Sequence, residues 1–231
     1  YAEIFAMRPA HFLKLNREVK LSADKIIPAM TRYWDFPTDE SGFSFTEAVG
    51  KLRELFFSAV NLRLRSDVPV GSALSGGIDS SAIVAAIAEL KPMRQKTFSA
   101  SFPGDVLDER RYAEMVVAGK NIEAIYTVPD SKSLERDFSD LIFHQDGAFF
   151  STSMYAQWEV YRAAAKNDIR VMLDGQGADE VFGGYEGFLR SHVKSVKKNT
   201  GIFSAVIEGA HFIANHRSYF ISRIRARKKN L

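Results

Sequence analysis

The stretch Ser75-Gly76-Gly77-Ile78-Asp79-Ser80-Ser81 lies between an apolar segment with a strand-like pattern and an apolar segment with a helix-like pattern. We call residues 75–81 the glycine loop. A turn that leads from a strand into a helix directs backbone N–H groups and the positive end of the helix dipole at one point, which favours phosphate binding. The two glycines let the backbone turn tightly and approach a ligand closely.

Polar side chains in the glycine loop add to this signal. Three serines supply hydroxyl groups, and Asp79 could hold a metal ion that shares the phosphate charge. No lysine follows, so the loop differs from the Gly-x-x-x-x-Gly-Lys-Ser/Thr loop that binds β- and γ-phosphates. The alternative is an ordinary strand–turn–helix joint in which Ser80 is the N-cap of the helix.

Length and composition indicate one large domain, or one domain with an appendage. The chain has 231 residues, of which 46% are hydrophobic and 26% charged. It has no cysteine, which excludes disulfides, thiolate metal sites and a cysteine nucleophile within this chain. No apolar stretch is long enough to span a membrane and no secretory signal is present, so we expect a cytoplasmic protein. The chain starts at Tyr1 rather than Met, and we expect a preceding segment to be missing.

The charge distribution is uneven. The last 15 residues hold six of the 31 basic residues and no acid, which leaves 25 basic against 28 acidic residues in the rest. Such a tail can bind nucleic acid or an anionic membrane, but a solvated end or a helix face that packs elsewhere is commoner. We therefore expect small-molecule substrates rather than nucleic acid or membrane.

Strand and helix patterns alternate along the middle of the chain. This alternation predicts right-handed βαβ units and a mainly parallel, twisted sheet with helices on both faces. The predicted strands cover residues 67–74, 97–102, 123–128 and 170–173. The predicted helices cover residues 82–90, 108–119, 131–142 and 153–165, and the chain after Tyr185 is predicted to be helical with no further strand.

The N-terminal part has a different pattern. Residues 1–37 indicate one or two strands and a connector, followed by a linker over residues 38–43. Ser44 and Glu47 have the spacing of a capping box. They precede a helix predicted to bury Leu52, Leu55, Phe56, Ala59 and Leu62.

A second loop, Asp174-Gly175-Gln176-Gly177-Ala178-Asp179-Glu180, also follows a predicted strand. We call residues 174–180 the acidic loop. In parallel sheets ligands bind beyond the carboxyl ends of the strands, where both loops would lie. Its carboxylates suit Mg²⁺, whereas the alternative is a solvated turn in which Asp179 caps a short helix. The two loops together favour a nucleotide–Mg²⁺ site.

Two longer segments resemble the asparagine synthetase family. Residues 66–71 with 74–81 are similar to its ATP-pyrophosphatase loop, and residues 173–185 are similar to its second signature. Asp108-Glu109 with Tyr112-Ala113 fits the acidic stretch between these motifs, and Tyr33-Trp34-Asp35 resembles the start of the synthetase domain. The resemblance implies an adenine nucleotide alpha hydrolase-like domain over residues 38–190. Residues 1–37 would end a missing glutaminase-type domain, and residues 191–231 would form an incomplete helical extension with the basic tail.

The resemblance also implies a reaction. The side-chain carboxylate of aspartate would attack the α-phosphorus of ATP, releasing pyrophosphate and leaving an acyl-adenylate. Ammonia, normally from glutamine, would then displace AMP and give asparagine. Fixed backbone donors and Mg²⁺ would stabilise the leaving pyrophosphate. A homodimer is compatible with the sequence but is not specified by it.

Site residues follow from the resemblance position by position. The catalytic set would be Gln176, Asp179 and Glu180, Mg²⁺ would bind to Asp79 and Asp179, and Asp146 is either a substrate contact or a loop cap. The pyrophosphate would bind to Ser75, Gly76, Gly77, Asp79 and Ser80, and the adenosine would contact the backbones of Leu74, Asp174 and Gly175, with Ala100 as a further candidate. Four aromatic residues nearby are predicted to be core residues: Phe149, Phe150, Trp158 and Tyr161.

Gln176 departs from the family pattern, which has glutamate at this place. An amide can position a substrate by hydrogen bonding but cannot act as a general base. The acceptor could therefore be another carboxylate, on a peptide, a sugar acid or a secondary metabolite. A non-catalytic nucleotide-binding domain is a further alternative, and a tRNA-modifying ATP-pyrophosphatase would share the glycine loop but not the second signature.

Overall fold

A computed structural model describes residues 4, 6–15, 29–37, 42–91, 94–105 and 108–215 of the chain. Most of the predicted linker, residues 38–41, and the basic tail after residue 215 lie outside the described residues. The chain divides into two compact units, Tyr1–Leu52 and Arg53–Leu231. Among the described residues, no helix combines the length and the apolar character that a membrane span requires.

The first unit contains a small antiparallel ribbon. Strand β1 (His11–Phe12) pairs with strand β2 (Thr31–Arg32), as predicted for this region. Helix α1 (Phe45–Arg63) starts in this unit and continues into the second. The capping box that precedes α1 is confirmed, because the Ser44 N–H donates to Oε2 of Glu47 at 2.9 Å and the Glu47 N–H donates to Oγ of Ser44 at 3.4 Å.

The second unit is built on a parallel sheet of four strands in the order β5-β4-β3-β6. The predicted parallel α/β fold is thereby confirmed. Its strands are β3 (Val70–Ala73), β4 (Gln95–Ala100), β5 (Ile122–Thr127) and β6 (Val171–Leu173). The strand order brings the ends of β3 and β6 side by side, although they are far apart in sequence.

Helices follow each strand of the sheet. They are α2 (Ile78–Leu90), α3 (Arg110–Val117), α4 (Ser131–Gln145), α5 (Ser153–Lys166) and the short α6 (Ala178–Phe182). Helices α7 (Glu186–Thr200) and α8 (Ile202–Asn215) come last, and the described residues after Tyr185 contain no strand, as predicted.

The two faces of the sheet carry separate parts of the core. On one face, α1, α2 and α3 bury a set of aliphatic side chains: Val60, Leu64, Leu74, Val84, Ala86, Ile87 and Ala113. On the other face, α5 packs over β4 with Phe98, Val160, Ala164 and Ile169. The predicted placement of helices on both faces is confirmed.

The predicted buried stripe of α1 is partly wrong. Leu52, Leu55 and Leu62 are exposed, whereas Val60 is buried and Phe56 is half-buried. The reason is that α1 has apolar residues on more than one face, and the stripe of residues 56, 57, 60 and 64 is the one that packs against α2. Periodicity alone does not determine which stripe finds a partner.

A charged cluster joins α4 to α5. Asp137, which is 6% exposed, accepts hydrogen bonds at 2.8–2.9 Å from Arg136, Arg162 and the Tyr155 hydroxyl. The hydrogen bonds from Arg136, with help from those of Tyr155 and Arg162, hold the pKa of Asp137 well below its usual range. Burial, together with Asp137, raises the pKa of Tyr155 to about 12. The cluster therefore holds α5 against α4.

Candidate active site

A cavity of about 440 Å³ lies at the carboxyl ends of β3, β4 and β6. Both loops predicted to form a site line it, and α5 supplies much of the remaining wall. The volume is within the range of small-molecule sites. The lining residues include these predicted ones: Leu74, Ser75, Gly77, Asp79, Ser80, Ala100, Asp174, Gly175, Gln176 and Asp179.

The glycine loop is held by its own hydroxyl groups. The Ser75 and Ser80 hydroxyl oxygens lie 3.0 Å apart, Oγ of Ser75 accepts from the Gly77 N–H at 3.2 Å, and the Ser80 hydroxyl donates to the Gly77 carbonyl at 3.3 Å. Gly77 is the N-cap of α2, so the alternative reading of Ser80 as N-cap is wrong. Within the described part of the chain no side chain caps α2, which leaves its first N–H groups available to an anion.

Gly76 packs directly against the start of α3. Its φ of +95° is in the left-handed region, and a Cβ added to it would lie 2.8 Å from the Glu109 carbonyl oxygen and 2.9 Å from the Ala113 nitrogen. Both are backbone atoms, so neither can move without a shift of α3 itself. Glycine is therefore required here for both conformation and space.

The acidic loop touches the glycine loop through Gly175. A Cβ added to Gly175 would lie 3.0 Å from Cβ of Asp79 and 3.0 Å from the Ser80 nitrogen. This close approach brings the two loops into one wall of the cavity. Asp79 and Asp179, one from each loop, both line this cavity.

Tyr161 of α5 orders the acidic loop, which the sequence did not predict. Its hydroxyl donates to Oδ2 of Asp174 at 3.0 Å and accepts from Nε2 of Gln157 at 3.3 Å. Partial burial and the hydrogen bond to Asp174 raise the pKa of Tyr161, so the hydroxyl remains a donor at neutral pH. The expectation of a core residue is wrong, since Tyr161 is 40% exposed and lines the cavity. The helical spacing of Met154, Gln157 and Tyr161 places them on one face of α5, but this spacing alone does not separate a cavity wall from a core face.

The wall beneath α5 is apolar. Phe98 and Ala100 from β4, with Met154 and Val160 from α5, form this part of the lining. At the adjacent end of β3, the Leu74 carbonyl accepts a hydrogen bond from the Ser99 hydroxyl. The cavity thus combines an apolar wall with a polar end at the two loops, which suits a ligand with a flat base and an anionic group.

Some predicted residues lie apart from this cavity. Asp146 is the C-cap of α4 with φ +54° and does not line the cavity, nor does Glu180, whose carboxylate accepts from the Tyr185 hydroxyl at 2.8 Å. Gly76 does not line the cavity and packs against the start of α3 instead.

Two aromatic residues predicted to lie in the core differ in burial. Phe150 is fully exposed, so its predicted core position is wrong, whereas Phe149 is half-buried and packs edge-on against Phe138.

The donor set is compatible with Mg²⁺. No group of three or more metal-ligating side chains occurs in the described ranges, but Asp79 and Asp179 both line the cavity. Mg²⁺ typically binds one or two protein carboxylates and completes its shell with phosphate oxygens and water. Two aspartates that line the same cavity as the glycine loop are compatible with that mode of binding.

Comparison with known proteins identifies relatives of the second unit. The Asparagine synthase family matches residues 51–228 of the chain. The chain is 38% identical over 137 residues to asparagine synthetase [glutamine-hydrolyzing] 1 of Bacillus subtilis, with 59% of this chain and 21% of that protein covered. It is 34% identical over 165 residues to a putative asparagine synthetase [glutamine-hydrolyzing] 2 of Methanocaldococcus jannaschii, with 69% and 31% covered.

A relative with a different name also matches. Amidase chyE of Penicillium rubens is 29% identical over 174 residues, with 68% of this chain and 26% of that protein covered. The chain spans between a fifth and a third of the length of these three curated relatives.

Proposed function

Because the chain belongs to the asparagine synthase family, we propose that its cavity binds ATP and that the protein adenylates a carboxylate, with aspartate as the leading candidate. One observation supports this proposal above the others: the glycine loop and the acidic loop, about a hundred residues apart, line the same cavity and touch at Gly175. Ammonia would then displace AMP and give the amide.

The glycine loop would bind the pyrophosphate group. The uncapped N–H groups at the start of α2 would be the donors to the phosphates, and the hydroxyls of Ser75 and Ser80, which bond to each other and to the Gly77 carbonyl, would hold the loop in place. The N–H groups would stabilise the charge that develops when the bond between the α- and β-phosphates breaks. Because these donors are already held in place, little reorganisation is needed during the reaction.

Asp79 and Asp179 would hold Mg²⁺. Bound there, the cation would neutralise part of the charge on the phosphates. The chain's own contribution would be to bring the two loops that carry these residues together, and the packing of Gly175 against Asp79 supports this. Gln176, which is exposed at the cavity, would position the acceptor or the nucleophile by hydrogen bonding rather than accept a proton.

A second candidate is amide formation on a carboxylate other than aspartate. Two features favour it: the neutral Gln176 in the acidic loop, and similarity to a relative named amidase chyE. In either reaction we propose that a glutaminase domain supplies ammonia from glutamine in the complete protein. A non-catalytic nucleotide-binding role is the remaining alternative.

Pyrophosphate release tests these proposals. The full-length protein would be assayed with Mg-ATP, ammonium and either aspartate or a panel of other carboxylates. Release that depends on aspartate supports the leading proposal, whereas release with another carboxylate alone supports the second candidate. Calorimetry of the chain with Mg-ATP completes the design, because a folded chain that binds no ATP contradicts both.

A further inference from the structure

We infer that Asp108 is a positioning residue for the glycine loop: it holds the first turn of α3 against Gly76 and thereby keeps the start of α2 in the arrangement that binds phosphate. This inference rests on the proposed binding of ATP at the cavity. Asp108 itself does not line the cavity, so its effect would be transmitted through the backbone of α3.

Asp108 ties the end of β4 to the start of α3. Its Oδ2 accepts from the Ser101 hydroxyl at 3.2 Å, and its Oδ1 accepts from the Arg110 N–H at 3.1 Å. Ser101 is fully buried one residue beyond β4, and its N–H donates to the Thr127 carbonyl at 2.9 Å, so it is a fixed point at the edge of the sheet. Arg110 is the first residue of α3. The carboxylate therefore joins a rigid strand end to a helix N-terminus.

The surroundings of Asp108 keep it ionised. Desolvation acts to raise the pKa of Asp108, but hydrogen bonds from the backbone of Arg110 and Phe102 and from the Ser101 hydroxyl lower it below its usual value. The positive end of the α3 dipole also favours a negative charge at this place. Hydrogen bonds to an ionised acceptor are roughly twice as strong as those between neutral groups, so the carboxylate is a firm anchor at neutral pH.

The first turn of α3 is the surface on which Gly76 packs. A Cβ added to Gly76 would lie 2.8 Å from the Glu109 carbonyl oxygen, so the glycine is in close contact with the backbone one residue after Asp108. Gly76 is followed by Gly77, the N-cap of α2. A shift of the turn at residue 109 is therefore passed on to the N–H groups that are proposed to bind the phosphates.

Apolar packing alone does not fix the N-terminus of α3. Farther along the helix, Ala113 is buried against Leu74 and Val84, which holds α3 on α2 and on the end of β3. Hydrophobic contacts of this kind have no preferred direction. The two hydrogen bonds of Asp108 supply the direction, because they connect the first residue of α3 to one point at the end of β4.

Calorimetry on the chain with Mg-pyrophosphate, Mg-ATP and AMP tests the inference. In Asp108→Ala, the affinities for Mg-pyrophosphate and Mg-ATP should fall by about 10- to 100-fold, the effect of losing the alignment of a donor to a charged group. AMP lacks the pyrophosphate group, so its affinity should stay at the wild-type value. Asp108→Asn should lose less, because asparagine also caps helices. Ser101→Ala, which keeps the carboxylate, should change the affinities in the same direction by a smaller factor.

Asp130→Ala is the matched control. Asp130 also caps a helix that follows a strand, since it accepts from the Ser133 N–H at 2.7 Å at the start of α4, and it does not line the cavity. Loss of the cap should lower the melting temperature by about 2–4 °C in both alanine variants. Asp130→Ala should nevertheless keep the wild-type affinity for all three ligands.

Two results would overturn the inference while leaving the proposed function intact. One is wild-type affinity for Mg-pyrophosphate in a folded Asp108→Ala variant, which would make Asp108 a helix cap with no effect on the glycine loop. The other is an equal loss of affinity for AMP and Mg-pyrophosphate, which would indicate general disruption of the cavity. If Asp108→Ala does not fold, the same comparison on Ser101→Ala decides. A folded wild-type chain that binds neither Mg-ATP nor Mg-pyrophosphate contradicts the proposed function itself, and the inference with it.

Discussion

The glycine loop and the acidic loop lie at the same sheet edge but differ in where their side-chain hydrogen bonds come from. The hydrogen bonds that shape the glycine loop join residues within it, between Ser75, Gly77 and Ser80. The acidic loop has an internal hydrogen bond from the Gln176 N–H to Asp174, and it is also held by Tyr161 of α5. The side-chain hydrogen bonds of the glycine loop are thus local, whereas those of the acidic loop include one from a distant helix.

The glycines of the two loops show the reverse contrast. Gly76 and Gly177 both have positive φ, at +95° and +91°. A Cβ on Gly76 would strike the backbone of α3, whereas a Cβ on Gly177 would meet nothing within 4 Å. The glycine loop is therefore closely enclosed by structure, while the acidic loop retains open space at its turn.

The largest effect is expected from Gly76→Ala. The added methyl group collides with the backbone of residues 109 and 113, in addition to the roughly 1–3 kcal/mol cost of the left-handed conformation. We expect a loss of more than this in the free energy of unfolding and the loss of measurable ATP binding. Chemical denaturation and calorimetry would measure the two quantities.

Gly177→Ala is the matched control for that substitution. It has the same conformational cost and no collision, so it should lose only about 1–3 kcal/mol and keep ATP binding. Equal losses of unfolding free energy in the two variants would show that the left-handed backbone conformation alone, and not packing against α3, requires glycine at position 76.

The next largest effect, on pyrophosphate release, is expected from Gly184→Ala. An added Cβ would collide with Oδ1 of Asp179, a residue that lines the cavity, so the carboxylate must change its position. We expect pyrophosphate release to fall by about 100-fold, as for a misplaced reactive group, with little change in thermal stability. Gly187→Ala is the control, because its Cβ would meet nothing within 4 Å. Unchanged release in Gly184→Ala would exclude a role for the present position of Asp179.

A smaller effect is expected from Asp137→Asn, which loosens α5 and with it the acidic loop. Because the folded-state pKa of Asp137 is lowered, its stabilisation is fully present above the unfolded value of 3.8 and is lost as pH falls towards the folded value. Thermal denaturation from pH 7 to pH 2 should show a lower melting temperature for Asp137→Asn at neutral pH. The two proteins should converge in acid, and a constant difference between them at every pH would contradict the assigned ionisation.

The smallest effect is expected from Gln176→Glu. Its side chain is exposed, so an added charge should weaken ATP binding by at most about fivefold. The Michaelis constant of the carboxylate substrate should change more than that of ATP if Gln176 positions the acceptor. Steady-state kinetics with both substrates varied would separate the two, and a larger change for ATP would place Gln176 at the nucleotide instead.

The contrast between local and tertiary contacts also explains which features could be predicted from the sequence. The glycine loop, its flanking strand and helix, and the parallel sheet were predictable because their signals are local. The role of Tyr161 was not, because an aromatic residue on an amphipathic helix is equally compatible with a core position. The buried face of α1 was mispredicted for a related reason: Leu55 and Val60 are both apolar, and only the packing of α2 selects between them.

The register of β6 has a consequence for the order in which the site forms. Val70 of β3 pairs with Val171 of β6, whereas Gly71 pairs with Lys96 of β4 only 25 residues along the chain. Closing the longer connection costs about 1.2 kcal/mol more in chain entropy, two doublings at roughly 0.6 kcal/mol each. On the ribosome, β6 emerges roughly 5–20 s after β3. A nascent chain therefore exposes the glycine loop well before the acidic loop is synthesised, so the cavity that both loops line is complete only after β6 has been added.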